Sequence, residues 1–378
     1  MTNIWFQSAL WMALALIAAF GSLWITISAA LFEIVVGAIA GNTIGLPLTP
    51  WINYIASFGA ILLTFLAGTD IDPHVVKKHF ASSVTIGLVG FFAPYIGCLL
   101  LARYGLGWPW PQAQIAGIAL STTSVAVVYA VMVETGYNRT ELGKIILAAC
   151  FINDIGTVLA LGLVFANYNL YLLLFAVVTV AVVAALPFVV PWLFKRIGGR
   201  TSEPEIKFLF LVLFFLGGLA NLGKSEAVLP AYLVGMALAP FFIGQRALQH
   251  RMRAICFAFL TPFYFLKAGS LIEAHALIAG AGLIALFLAV KMTTKFCGIL
   301  PLTRYFAFEK REGMYTTLMM STGLTFGSIS ALFGLTNHII DQTQYTILVT
   351  AVIASAVVPT VIAQLWFRPH FEPLEEDA

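Results

Sequence analysis

Two matching stretches decide the fold of this chain. Residues 119–130 read ALSTTSVAVVYA, and residues 319–331 read MMSTGLTFGSISA. In both stretches Ser and Thr residues, joined by Gly in the second, interrupt a segment that is otherwise apolar. One interruption alone would be explained by hydroxyl groups that bond to their own helix. Two in matching positions instead predict a pair of discontinuous helices that meet at a common point.

The composition predicts that the chain lies in a membrane. Of its 378 residues, 61% are hydrophobic and 10% are charged, whereas a soluble domain carries about 25% charged residues. Apolar runs long enough to cross a bilayer follow one another with short polar breaks. We predict an all-α polytopic membrane protein of about thirteen transmembrane helices, without a soluble domain. Their ranges are 4–26, 28–46, 53–70, 80–103, 113–133, 142–166, 169–194, 204–222, 226–243, 252–271, 275–300, 312–334 and 342–366.

Lysine and arginine are distributed unequally between alternate loops. With the N-terminus outside, fifteen of the 20 basic residues lie in inner loops or at the adjoining helix ends, and Arg103 and Lys224 lie on the outer side. This bias follows the positive-inside rule and predicts a cytoplasmic C-terminus with a short tail, 367–378. We expect an integral protein of a prokaryotic inner membrane. The acids near helix ends, expected at the interface, are Glu33, Asp70, Asp72 and Glu134.

The chain repeats itself at a shift of 198 to 201 residues. Besides the stretches quoted above, the matching pairs are LFEIVVGAIA (31–40) with LPAYLVGMAL (229–238), FLAGTDIDPH (65–74) with FLKAGSLIEAH (265–275), and APYIGCLLLARY (93–104) with TKFCGILPLTRY (294–305). We predict a single transporter unit, 1–378, built from two six-helix repeats, 4–166 and 204–366, and a linking helix, 169–194. One linking helix inverts the second repeat, as in many secondary transporters.

One acid lies in the middle of the sixth predicted helix. Asp154 occurs in ACFINDIGTVLALG (149–162), with no basic residue within one helical turn. A carboxylate in hydrocarbon is costly unless it serves a function. Because burial favours its protonated form, Asp154 can hold either a proton or a cation, which would couple two fluxes. Its neighbour Asn153 can donate to a carboxylate or offer an oxygen to a cation.

Three basic residues are not counted with either set of loops, and all three are lysines within predicted helices. Lys291 and Lys295 share one face of the eleventh helix, one turn apart. Lys295 replaces Pro94 of the first repeat, and we predict it as a counter-charge near the crossing, with Lys291 as the next candidate. Lys267 lies near the end of the tenth helix, where its ammonium could also reach the interface.

These segments resemble a known family. The elements GAILLTFLAGTDID, LSTTSVAVVYAVMVETG, CFINDIGTV, the lysine of KFCGILP and the LTFGSIS stretch are similar to the monovalent cation:proton antiporters, and to the antiporter-2 family more than the antiporter-1 family. The resemblance covers about residues 5–366. It implies the sodium/proton antiporter fold, a homodimer, and an elevator-like movement of a six-helix core against a dimerisation domain.

The resemblance also implies roles for individual residues. Asp154 would carry the proton and the transported metal ion, which is Na⁺ foremost and K⁺ or Li⁺ otherwise. Lys295, or Lys291 in its place, matches the family's lysine. The residues that would supply site oxygens or form the crossing are Thr122, Thr123, Ser124, Ser321, Thr322, Gly323 and Thr325.

The sequence departs from the family pattern at one position. Electrogenic members usually have Asp-Asp where this chain has Asn153-Asp154, and Asn-Asp goes with one-for-one, electroneutral exchange in related antiporters. Lys295 then needs an acceptor other than the missing aspartate, such as a helix end. Electrogenic exchange that uses a protonatable lysine stays open.

Other functions are less well supported by the residues. An organic-anion transporter on the same inverted-repeat fold could use Lys267, Lys291 and Lys295, but no Asn, Gln or Arg cluster suits a bulky carboxylate. A channel or sensor subunit would require a nucleotide-binding domain or a repeated filter loop. The four cysteines fall in apolar segments and are expected to be buried. Since no metal-ligand set or nucleophile–base pair is evident, no enzymatic activity, cofactor or nucleic-acid partner is expected.

Overall fold

The computed structural model describes residues 3–25, 28–70, 77–165, 170–223, 225, 227–272 and 274–369, which form helices and short loops with no strand among them. The all-α prediction is therefore confirmed. Asp72, Lys224 and residues 370–378 lie outside the described residues. The helices are α1 (Ile4–Ile25), α2 (Ala29–Thr43), α3 (Pro50–Thr69), α4 (Phe80–Leu100), α5 (Trp110–Ser121), α6 (Val125–Thr135), α7 (Glu141–Phe165), α8 (Leu170–Ile197), α9 (Pro204–Leu222), α10 (Val228–Ile243), α11 (Arg246–Ile255), α12 (Thr261–Ser270), α13 (Ala274–Tyr305), α14 (Lys310–Met319), α15 (Thr325–Thr336) and α16 (Gln342–Trp366).

Many of these helices are long and apolar enough to cross a bilayer. Within the described residues nine stretches meet that requirement, and one of them, Trp110–Thr135, comprises α5 and α6. Shorter apolar helices are Ala29–Thr43, Val228–Ile243 and Thr325–Leu335. Each of the thirteen predicted segments coincides with one helix or with two successive helices. The number of thirteen spans itself stays a prediction.

Two of the predicted helices are broken where polar residues interrupt them. α5 ends at Ser121 and α6 begins at Val125, while α14 ends at Met319 and α15 begins at Thr325. The backbone N–H of Ser124 donates to the carbonyl oxygen of Thr322 at 3.2 Å, so the two breaks contact each other. The predicted pair of crossed discontinuous helices is confirmed.

The tenth predicted helix begins earlier than its apolar pattern indicated. α11 starts at Arg246 and continues through a π-helical turn, Cys256–Leu260, into α12. Arg251, which precedes the predicted helix, is therefore helical as well. The charged residues of α11, Arg246, Arg251 and Arg253, lower the mean hydropathy of this segment, so an apolar pattern does not reveal where the helix begins.

Packing divides the helices into two groups. The scaffold helices are α1–α3 and α8–α12: α2 packs on α12, α3 packs on α10 and α12, and α8 packs on α9 and α10. The core helices are α4–α7 and α13–α16: α4 packs on α5, α7 and α13, and α16 packs on α13, α14 and α15. Both broken helices belong to the core helices, so the crossing lies within one group.

Reciprocal glycine contacts relate the two halves of the scaffold. Between the predicted repeats, Gly37 matches Gly235 and Gly68 matches Gly269. A side chain at Gly37 would overlap a backbone carbonyl of α12, and one at Gly269 would overlap a backbone carbonyl of α2. Gly235 and Gly68 are related in the same way to α3 and α10. The two helix pairs thus make equivalent close contacts, which the small glycine residues allow.

Three of the four cysteines are buried, as the sequence predicts. Cys98, Cys150 and Cys256 are free and buried, whereas Cys297 is free and exposed. The expectation of burial is wrong for Cys297, because the neighbouring Gly298 faces α4 and residue 297 consequently lies on another side of α13.

Candidate functional site

The breaks in α5–α6 and α14–α15 form the centre of the candidate site. Thr122 leaves the helical conformation with ψ of 148°, and the Ser124 side chain caps α6 by accepting from the N–H of Val127. The Thr123 hydroxyl donates across the crossing to the carbonyl oxygen of Met320 at 2.7 Å. The Ser124 and Thr325 hydroxyl oxygens are 3.2 Å apart. The crossing is therefore held by backbone and side-chain hydrogen bonds.

Not every predicted hydroxyl faces the crossing. Ser121, Thr122, Ser321 and Thr322 donate to carbonyl oxygens three or four residues earlier in their own segments. All four side chains are buried. They complete the local backbone, as Ser and Thr often do in helices, while Thr123, Ser124 and Thr325 reach across.

Asn153 joins the two ends of the first break. Its Oδ1 accepts from the N–H of Thr123 at 2.8 Å, and its Nδ2 donates to the carbonyl oxygen of Ser121 at 3.3 Å. A carboxamide provides both the acceptor and the donor that the broken helix lacks. Both polar atoms of Asn153 are thus engaged with backbone.

Asp154 is buried next to this joint. The residue is 4% exposed, and its Oδ1 has no hydrogen-bond partner within the described part of the chain. A buried polar atom without a partner carries a free-energy cost of about 1–3 kcal/mol, and more when it is charged. The carboxylate is accordingly poised to take a proton or a cation.

Lys295 and Lys291 are fully buried and are directed to helix ends. Lys295 Nζ donates to the carbonyl oxygen of Met320 at 2.7 Å and to Thr123 Oγ1 at 2.8 Å. Lys291 Nζ donates to the carbonyl oxygen of Thr122 at 3.2 Å and to Ser355 Oγ at 2.8 Å. Each lysine therefore supplies a positive charge to the C-terminal end of one half-helix, where the helix dipole favours it.

Gly323 leaves the space that Lys291 occupies. A side chain at this position would overlap Lys291 Nζ and would lie 3.0 Å from Ser355 Oγ. Lys267, in contrast, is partly exposed near the end of α12. The structure thus brings Lys291 and Lys295 to the crossing and leaves Lys267 outside it.

Two polar residues near the crossing were missed by sequence reasoning. Tyr264 places its hydroxyl 2.6 Å from Thr325 Oγ1, and Ser355 accepts from Lys291. Tyr264 reads as an ordinary aromatic residue in an apolar helix, and Ser355 as a small residue in another. No pattern in the sequence distinguishes either position.

Two of the acids expected at the interface, Asp70 and Glu33, are buried among helices. The Asp70 side chain is 8% exposed and is paired with Arg253. Its carboxylate also accepts from Gln249 Nε2 at 2.6 Å and from Tyr129 Oη and Asn138 Nδ2, each at 2.8 Å. Glu33 is 6% exposed within α2. These acids are buried because neighbouring helices cover them.

The fold and the site define a class: a membrane transporter with crossed discontinuous helices and a buried carboxylate beside the crossing. The chain belongs to the sodium/hydrogen exchanger family, since residues 11–368 match the family described as "Sodium/hydrogen exchanger, transmembrane". The sequence motifs predicted a relationship to the cation:proton antiporters, and the family match confirms it.

Individual relatives extend over most of the chain. It is 26% identical over 333 residues to Probable Na(+)/H(+) antiporter 3 of Methanocaldococcus jannaschii, covering 83% of this chain and 84% of the relative. It is 21% identical over 337 residues to Na(+)/H(+)-K(+) antiporter GerN of Bacillus cereus, covering 85% and 86%. The solved structure of the sodium proton antiporter MjNhaP1 from Methanocaldococcus jannaschii superimposes with a TM-score of 0.70 at 14% identity, covering 95% and 97%. That likeness shows a shared fold.

Proposed function

We propose that this protein is a secondary active antiporter that exchanges a monovalent cation for protons, with Asp154 as the shared carrier. The observation that carries the proposal is the buried carboxylate whose Oδ1 has no partner in the described chain. Such a group is stabilised by a proton or by a cation. Because it cannot hold both, the departure of one is coupled to the arrival of the other.

The surrounding charges support one-for-one, electroneutral exchange. Asn153 is neutral, and its amide is engaged with the backbone of Ser121 at the end of α5 and of Thr123 within the break. Lys291 and Lys295 donate to half-helix ends rather than to a described carboxylate. Asp154 is then the group whose occupancy changes in each half of the cycle. This arrangement does not favour the organic-anion alternative, because both ammonium groups already have acceptors.

We further propose that the core helices move against the scaffold helices in an elevator-like step. The proposed carrier and both broken helices belong to the core, so a rigid movement would keep the hydrogen bonds that join the core residues of the crossing to one another. A small apolar cluster of Ala60, Val228 and Phe326 lies between the two groups. Apolar contacts of this kind have no directional bonds to break when surfaces slide.

The proposal also concerns the transported cation, the oligomeric state and the membrane in which the protein lies. Relatives are named for Na⁺ exchange and, for GerN, for K⁺ as well, and we propose Na⁺ as the main cation, with K⁺ or Li⁺ as alternatives. A homodimer in a prokaryotic inner membrane, with the N-terminus outside, remains our expectation from the sequence.

Proton flux in vesicles tests the proposal. Purified protein is reconstituted with an imposed pH gradient, and Na⁺, K⁺ or Li⁺ is added. Wild type is expected to dissipate the gradient, and Asp154→Asn is expected not to. The matched control is Asp341→Asn at the exposed N-cap of α16, because Asn caps helices as well as Asp. Absence of cation-dependent flux in wild type, or normal flux in Asp154→Asn, would refute the proposal.

A further inference from the structure

The hydroxyl of Tyr264 connects the scaffold to the crossing. Tyr264 lies on α12, which packs on α1, α2 and α3. Its oxygen is 2.6 Å from Thr325 Oγ1, which is itself 3.2 Å from Ser124 Oγ. Ser124 is the N-cap of α6, and Thr325 is the first residue of α15. One scaffold side chain therefore contacts, directly or through one hydroxyl, the N-terminal ends of both second half-helices.

The ring of Tyr264 lies on the same side of α7 as the proposed carrier. It packs against the apolar cluster that contains Ala60, Val228 and Phe326, and Val158 packs against that cluster as well. Val158 follows Asp154 by four residues, so both side chains project from one face of α7. The aromatic ring thus shares an apolar cluster with a residue on the face of α7 that carries Asp154, and its hydroxyl is turned to the crossing.

A chain of three hydroxyl groups constrains where its oxygens point. Each hydroxyl has one proton to donate and two lone pairs that accept. The Ser124 oxygen already accepts from the N–H of Val127 at 3.4 Å. The hydrogen bond between Tyr264 and Thr325 fixes the directions in which the other lone pairs of the Thr325 and Ser124 oxygens point. A cation site requires oxygen ligands that are held in fixed directions in this way. Ion selectivity depends on the number and arrangement of such oxygens.

We propose that Tyr264 is a specificity-determining residue of the cation site, which rests on the antiport function proposed above. Its hydroxyl positions the Thr325 and Ser124 oxygens for the cation that Asp154 binds. Because Tyr264 belongs to the scaffold helices, movement of the core separates it from Thr325. The hydroxyl then contributes to cation affinity on one side of the membrane and not on the other.

Tyr264→Phe tests this role because it removes the hydroxyl and keeps the ring that packs on the apolar cluster. Half-saturating concentrations of Na⁺, Li⁺ and K⁺ are measured from each side in vesicles of defined protein orientation. We expect an increase of about 3- to 10-fold on one side, corresponding to one hydrogen bond, with a changed ratio among the cations and a nearly unchanged maximal rate. Tyr305→Phe, at an exposed tyrosine, is the matched control and should behave as wild type.

A double-mutant cycle with Thr325→Val separates positioning from general packing. If Tyr264 acts through Thr325, the effect of the double variant on half-saturation should not exceed that of Thr325→Val alone. Unchanged half-saturation on both sides in Tyr264→Phe would overturn the inference, and so would an equal loss for all cations on both sides. Wild-type exchange that is abolished by Asp154→Asn is the prior check, so failure of the antiport proposal is recognised separately.

Discussion

Asn153 and Thr123 are joined by a 2.8 Å hydrogen bond in which the backbone N–H at the break donates to the side-chain oxygen. The same amide donates to the carbonyl oxygen of Ser121 at 3.3 Å. An ionised aspartate could accept the first bond but could not donate the second. The neutral residue at 153 therefore completes the broken helix and leaves Asp154 as the neighbouring carboxylate.

Asn153→Asp is expected to make exchange electrogenic. A second carboxylate beside Asp154 creates a coupled pair that can bind more than one proton, so that more than one proton can leave when one monovalent cation binds. The measurement is the rate of exchange under a membrane potential set by an ionophore whose ion is not transported. Wild-type exchange should not respond to the potential, and the variant should.

The control for this prediction is Asn337→Asp, at an exposed asparagine near the end of α15. It adds the same charge away from the crossing and should leave the exchange insensitive to potential. If Asn153→Asp is equally insensitive, the charge at position 153 does not set the stoichiometry.

The central polar residues could be predicted from the sequence because each is conspicuous in its surroundings. Asp154 and Lys295 are charged residues in apolar helices, and such residues are costly unless they serve a function. The acceptors of the lysines could not be predicted. Every residue carries a carbonyl group, and only the folded chain shows that those of Thr122 and Met320 lie at helix ends facing Lys291 and Lys295.

Partners that are far apart in the sequence could not be predicted either. In the sequence, Lys77 and Lys78 are the basic residues that follow Asp70 most closely. Its actual partner, Arg253, is 183 residues away. The hydrophobic pattern indicates which residues lie in helices, but it does not indicate which helices are neighbours.

Removing the ammonium of Lys295 is expected to destabilise the crossing. Lys295→Met retains an unbranched side chain of similar length but leaves the carbonyl oxygen of Met320 without its Lys295 donor. We expect a loss of about 1–3 kcal/mol, measured as reduced thermal stability in detergent. Lys207→Met, at an exposed lysine of α9, should change stability by less than about 0.5 kcal/mol. Equal stability of the two variants would contradict the assigned contact.

Breaking the Asp70–Arg253 pair is expected to cost more than breaking an exposed pair. The two side chains are 8% and 15% exposed, respectively, so Arg253→Gln leaves a buried carboxylate without its charged partner. A loss of about 3–5 kcal/mol is expected for a fully buried pair, and a value near the lower end is expected here. Thermal unfolding in detergent measures this loss.

The matched control for that measurement is Lys78→Ala. Lys78 pairs with Glu141 at 2.7 Å, but its side chain is 64% exposed and that of Glu141 is 52% exposed. Exposed pairs contribute about 0–1 kcal/mol. If Arg253→Gln and Lys78→Ala lower the unfolding temperature equally, burial does not strengthen the Asp70 pair.

Gly323→Ala is expected to displace Lys291 from the end of α5. The added methyl group would overlap Lys291 Nζ and crowd Ser355 Oγ, which lies 3.0 Å away. Overpacking of this kind costs about 1–3 kcal/mol, and the ammonium must also give up its acceptors at the crossing. We expect lower thermal stability together with slower cation-dependent proton flux.

Gly282→Ala on α13 is the control for this prediction, because no atom lies within 4 Å of the added methyl. Alanine also favours the helix by up to about 1 kcal/mol. If both alanine variants were as stable and as active as wild type, Lys291 would not need its place at the crossing.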